Sequence, residues 1–131
     1  MNVETYFGNQ FPYILNYKSI NLGNYKVILA NKYKGFTAPK VKTGINDLDT
    51  FNNIITRLGD INYNENQNNP RNVSKSGGNC QAYTLLLDAM CKKCKLKSSI
   101  CYTDKHMYNK IELDNKIYLV DLTKNEMKLE E

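Results

Sequence analysis

Apolar positions in this chain change period along its length, and the changes mark out the elements. Tyr13-Ile14-Leu15-Asn16-Tyr17 and Tyr25-Lys26-Val27-Ile28-Leu29-Ala30 predict two short strands. Asn21-Leu22-Gly23-Asn24 predicts the turn between them. Leu48, Phe51, Ile54, Ile55 and Leu58 then fall at helical spacing. They predict a helix over 46–58, capped by Asn46 or Asp47 and stopped by Gly59. Residues 60–79 are polar and rich in Asn, Ser and Gly, and predict a long loop. Such a loop is either a solvated insertion or a mobile wall beside a site, and its Asn and Gln content favours solvation. Ala82, Leu85, Leu86, Ala89 and Met90 give a wide apolar face, predicting a second helix from about Cys80 to Cys94. Lys92, Lys93 and Lys95 suit the negative end of its dipole. Strands are predicted at 97–102, 106–113 and 116–122, with Asp114-Asn115 as a hairpin turn.

The pattern predicts an α+β fold, with a helix packed on an antiparallel sheet. A chain of 131 residues is expected to form a single domain. Within it, 1–45 is a strand-rich N-terminal segment and 46–131 is the core. That is enough chain to bury a core without disulfides.

Net charge is +5, which reads first as a lysine-rich solvated surface. A sharper reading is an anionic partner, because lysines 26, 32, 34, 40 and 42 alternate with Tyr25, Tyr33 and Phe36. Charge is scattered elsewhere and no phosphate-binding or zinc-finger pattern accompanies the stripe, so nucleic acid is the weaker expectation. The first residues show no basic segment followed by an apolar one, and no apolar run approaches membrane-spanning length. The expectation is a soluble, cytoplasmic protein without a membrane partner.

Four cysteines, 80, 91, 94 and 101, lie close together in the sequence. Cys91-Lys92-Lys93-Cys94 supplies two of the four ligands that structural zinc needs, and Cys101 and His106 could complete a set. A redox pair is a further alternative. Packed or half-exposed free thiols near a helix end are the favoured reading.

Cys80 is the candidate for chemistry. It follows Ser76-Gly77-Gly78-Asn79 and opens the second helix, where unpaired N–H groups favour negative charge. Taken alone, it reads as a small buried apolar residue. His106, the sole histidine, and Asp121 follow in the order of a Cys-His-Asp nucleophile system. With a two-residue turn at 114–115, His106 lies opposite Thr123 and Asp121 opposite Tyr108, so Asp121 is the diagonal neighbour of His106 on one sheet face. A three-residue loop without a bulge would separate them. Met107, Ile111, Leu113, Tyr118, Val120 and Leu122 form the other face and look like core. The His106 face, with Tyr108, Ile117 and Leu119, is expected to pack against the Cys80 helix.

Three segments carry a family likeness: Gly78-Asn79-Cys80-Gln81-Ala82-Tyr83, His106-Met107-Tyr108-Asn109-Lys110-Ile111 and Tyr118-Leu119-Val120-Asp121-Leu122-Thr123. Here the chain resembles the transglutaminase-like superfamily, which shares the papain-like cysteine-protease core. That family often has tryptophan where Tyr108 and Tyr118 stand, and proline where Leu122 stands. The likeness covers 77–123. It implies a papain-like core with Cys80 as nucleophile, His106 as acid–base and Asp121 as the orienting carboxylate. The implied activity is hydrolysis of a peptide or carboxamide bond through a thioester, on a protein or peptide substrate and without a cofactor. Acyl transfer to an amine on the same triad, and an inactive binding module on the same fold, are the alternatives. The backbone N–H of Cys80 is one expected oxyanion donor, and the second is open. No acidic cluster resembles a calcium loop.

Overall fold

Helix α1 starts where it does because Asn46 caps it. The Asn46 side chain accepts from the Asp49 N–H at 2.8 Å, and the helix spans Asp47–Leu58. Gly59 ends it at φ 73, donating its N–H to Ile55. In the computed structural model, which describes residues 12–104 and 106–130, two further helices follow. These are the short α2 (Val73–Ser76) and the long α3 (Cys80–Lys93). Six strands complete the α+β fold: β1 (Ile14–Asn21), β2 (Lys26–Tyr33), β3 (Lys97–Tyr102), β4 (Met107–Leu113), β5 (Lys116–Asp121) and β6 (Glu126–Leu129). They form one antiparallel sheet in chain order, β1 to β6. The three helices enter between β2 and β3. The expected strand at the chain start is longer than its apolar pattern and runs to Asn21, carried by pairing with β2.

Helix α3 is buried on every side from Cys80 to Cys91. One core cluster joins it to α1, β4 and β5 through Phe51, Ile54, Tyr83, Leu87, Ile111 and Val120. Another joins it to β1–β3 through Ile14, Ile28, Leu85, Ile100 and Tyr102. Its buried Thr84 and Asp88 are paired inside this core, while the buried Gln81 Nε2 has no partner among the described residues. Thr84 Oγ1 donates to the Met107 carbonyl at 3.2 Å, and Asn109 Nδ2 donates to the Thr84 carbonyl at 2.9 Å. Asp88 has no exposed surface. It accepts from Ser98 Oγ at 2.5 Å, from Lys92 Nζ at 2.8 Å and from the Tyr33 hydroxyl. Burial, and then Asp88, push the Tyr33 hydroxyl pKa well up, so it stays a donor. This network fastens β2 and β3 to the helix.

The sheet face against α3 is the one bearing Met107, Asn109, Ile111 and Leu113, all buried. This corrects the expectation that the His106 face packs there. Tyr108, Lys110 and Glu112 alternate onto the opposite face, which is half-buried. The expected lysine–aromatic stripe is also turned: Tyr33 and Phe36 meet edge to face at 5.3 Å and pack against the core.

Segment 60–79 is not a plain solvated insertion. Pro70 and Val73 are buried, and Pro70–Asn72 forms a 3-10 turn leading into α2. The Gly78 N–H donates to the Asn62 carbonyl, Asn64 N–H to the Gly78 carbonyl, and Asn79 N–H to the Gln67 carbonyl. Asparagine side chains fold this segment by bonding nearby backbone, as Asn64 Oδ1 and Asn69 Oδ1 do with the N–H groups of Asn66 and Arg71.

Asp114 and Asn115 make the two-residue turn, at φ 51 and 68, the left-handed values of a type I′ hairpin. The same turn docks α1. Asp114 accepts from the N–H groups of Asp47 and Leu48 at 3.1 and 3.3 Å, and donates its own N–H to Asp47 Oδ2 at 2.8 Å. Asp114→Ala removes these acceptors and puts a Cβ-bearing residue without a polar side chain at positive φ. It is expected to lower stability by about 1–2 kcal/mol, read from the urea midpoint.

Candidate active site

Cys80 is held at the first turn of α3 by the residues just before it. Asn79 has extended backbone and caps the helix, its Oδ1 accepting from the Ala82 N–H at 3.1 Å. The two preceding glycines are required by chain packing. A Cβ at Gly77, which sits at φ 73, would lie 2.1 Å from the Asn62 carbonyl oxygen. A Cβ at Gly78 would lie 2.7 Å from that of Ala82. Their smallness therefore serves the fit of segment 62–67 against the helix start.

The hairpin register is that of the two-residue turn, with Asn109 opposite Val120 and Leu113 opposite Lys116. His106 stands just before β4, in a tight turn where the Thr103 N–H donates to its carbonyl at 2.8 Å. Its Nε2–H donates to Asp121 Oδ2 at 2.5 Å. The Cys80 side chain lies against the ring as well and, after Asp121, raises the His106 pKa. The structure thus brings Cys80, His106 and Asp121 together around one ring. Since Nε2 is engaged by Asp121, Nδ1 is the ring nitrogen left for the thiol. His106 reaches Cys80 from the strand end, although its own sheet face does not pack on α3. The Tyr108 ring stacks beside the imidazole, 6.2 Å between centroids.

Asp121 does two jobs with its two oxygens. Oδ2 holds His106, while Oδ1 accepts from Thr123 Oγ1 at 3.1 Å and from the Lys124 N–H at 3.3 Å. Thr123 is a contributor the sequence reading left without a role; its place two residues after an acidic residue is the signal of a side-chain turn. Burial works to raise the Asp121 carboxyl pKa, but the His106 bond and charge and the Thr123 and Lys124 bonds outweigh it, leaving it lowered. The bond to Asp121, and then that to Cys80, raise His106 to about 9.

Two backbone donors stand at the start of α3. The first N–H groups of a helix lack intrahelical acceptors. Asn79 takes those of Ala82 and Tyr83 through its side chain and carbonyl. The N–H groups of Cys80 and Gln81 have no acceptor among the described residues. Gln81 N–H thus stands beside the expected Cys80 donor.

The other thiols differ. Burial, then Asp88, raise Cys91 well above its ordinary value, and burial raises Cys94 and pushes Cys101 up to about 11. All four cysteines are free. Among the described residues, no group of three or more His, Cys, Asp or Glu side chains could hold a metal ion, so Cys91, Cys94, Cys101 and His106 do not gather as ligands. Among the described residues, no helix is long and apolar enough to cross a membrane.

Beside the His–Asp pair lies a groove of about 180 Å³, bounded by Tyr108, Leu119, Lys124 and Lys128. Compared with protein-family models, with curated proteins and with solved structures, the chain matches none of them.

Because the folded His106 pKa lies above its ordinary 6.5, its bonds contribute stability that is fully present below about pH 6.5 and lost as pH rises through about 9. Asp121 contributes the complementary part, present above the ordinary carboxyl range and lost as pH falls through its lowered pKa. Followed by NMR, the His106 ring is expected to titrate near 9. In Asp121→Asn it is expected to titrate roughly one unit lower or more.

Proposed function

We propose that the protein is a cysteine-nucleophile hydrolase of transglutaminase-like type, on a papain-like core, that cleaves a peptide or carboxamide bond. The observation that carries this reading is the His106 ring set between Cys80 and Asp121. A thiol, an imidazole and an orienting carboxylate together are what acyl transfer through a thioester needs.

Cys80 Sγ attacks the substrate carbonyl, its proton already resting on His106, whose raised pKa keeps the ring protonated near neutral pH. The oxyanion of the tetrahedral intermediate is received by the N–H groups of Cys80 and Gln81, reinforced by the positive end of α3. His106 then protonates the leaving amine, and a thioester to Cys80 remains. Water, losing its proton to His106, attacks that thioester and releases the acid. Asp121 keeps the ring's orientation and stabilises the imidazolium throughout. Held by Thr123 and Lys124 as well, the carboxylate keeps its geometry while the ring changes charge. Water is the acceptor in this reading because it is abundant, whereas an amine acceptor needs its own site.

Alkylation separates this reading from an inactive module. At pH 6, iodoacetamide is expected to modify Cys80 at least tenfold faster than Cys91, Cys94 or Cys101, by peptide mass mapping. His106→Ala is expected to remove most of that preference. Equal reaction of all four thiols, with unchanged reactivity in His106→Ala, would falsify the hydrolase reading. Diversion of product by an added primary amine would mark a transferase instead.

A further inference from the structure

A larger depression, about 530 Å³, lies beside the triad and does not include it. Its apolar walls are Ile55 and Leu58 from the end of α1, Ile61 and Tyr63 from the segment that follows, and Leu122. Ile55, Leu58, Ile61 and Leu122 are packed against the core on one side and remain only partly buried. Tyr63 is 60% exposed.

Both ends of this wall are tied to the candidate site through the chain. Tyr63 bridges to Gly78, two residues before Cys80. Leu122 directly follows Asp121 and opens the 3-10 turn that Asp121 caps. Two residues of chain span at most about 7 Å, so Gly78 and the Tyr63 bridged to it lie close to Cys80. A substrate lying across Cys80 can therefore set a neighbouring side chain in the depression.

Electrostatics narrow what that side chain is. Among the described residues, no Lys, Arg or His lines the depression, and Asp60 is the one charged residue there. The C-terminal end of α1, with its partial negative charge, also faces this region, since Leu58 and Gly59 form part of the lining. An acidic group would meet like charge there, while an apolar group would cover the four aliphatic residues. The net charge of +5 is thus no guide to what this part of the surface accepts.

We infer that the depression is a specificity site for an apolar side chain, aliphatic or aromatic, flanking the scissile carbonyl of the peptide or amide substrate. The inference rests on the Cys80 hydrolase reading. It selects substrates by burial of apolar surface and rejects acidic ones by charge.

Chloromethyl ketones test it. Cys80 Sγ displaces chloride from the methylene carbon: the C–S bond forms, the C–Cl bond breaks, and the thiol proton stays on His106. N-acetyl-phenylalanyl and N-acetyl-aspartyl chloromethyl ketones are compared on the full chain, with iodoacetamide, which has no side chain to place, reporting the thiol alone. The phenylalanyl probe is expected to alkylate Cys80 on the order of tenfold to a hundredfold faster than the aspartyl one. Ile61→Asp is expected to bring that ratio close to one, and Tyr63→Ser, at a largely exposed position, to lower it several-fold. If Ile61→Asp fails to fold, Tyr63→Ser decides. A ratio near one in the wild type, or a ratio unmoved by a folded variant, overturns the specificity site while fast iodoacetamide reaction leaves the hydrolase reading standing. Slow reaction of Cys80 with all three probes overturns both.

Discussion

The two-residue turn at Asp114–Asn115 is the constraint on which the candidate site depends. Side chains alternate along a strand, so the length of a hairpin turn decides which residues of its two arms share a face. With two residues in left-handed conformation, the register puts His106 and Asp121 together at the open end of the hairpin. One residue more, without a bulge, would send the carboxylate to the face packed on α3, among Met107, Ile111 and Leu113. The turn is reinforced from outside by the reciprocal bonds between Asp114 and Asp47, so α1 and the hairpin settle their positions jointly. The chemistry at one end of β4 and β5 is thus set by backbone geometry at the other.

Cys80 reaches this pair by a different route. Its position follows from α3, which is surrounded by core on all sides and cross-linked to the sheet through Thr84, Asn109 and Asp88. A helix enclosed in this way has little freedom to slide or roll, which is the condition for a nucleophile to stay within bonding distance of a fixed imidazole. Paired buried polar groups set that alignment in a way that apolar packing alone does less sharply.

The parts of this arrangement that were legible in the sequence are those specified locally. Asn46 and Gly59 bracket α1, and Asp114-Asn115 carries the turn chemistry that sets the hairpin register. Where the sequence misled, the deciding interaction was remote or between equals. Both faces of the β4–β5 hairpin hold large apolar residues, so the choice of the buried one turned on Lys110 and Glu112, whose charges mark the side that meets water. Strand β6 has exposed residues throughout and exists by pairing with β5, a property its own pattern does not encode. In segment 60–79 the same asparagines that suggest solvation satisfy neighbouring backbone groups, and composition does not distinguish water from backbone as their partner. The two glycines before Cys80 were conspicuous in the sequence, but the carbonyl of Asn62 that requires one of them is distant along the chain.

The sheet order has a consequence for how the chain closes. Every pairing from β3 to β6 joins strands that are near neighbours in sequence, as does the pairing of β1 with β2. Only β2 with β3 brings together segments as far apart as Ile28 and Ile100. Loop closure costs more the longer the loop, and long-range pairing is slow to form. Cys80, His106 and Asp121 all lie on one side of that closure, within a stretch of mainly local contacts. In contact-order terms the β1–β2 hairpin is the late arrival. It contributes Ile14 and Ile28 to the core against Cys80 and Leu85, and Tyr33 to the Asp88 network that holds α3.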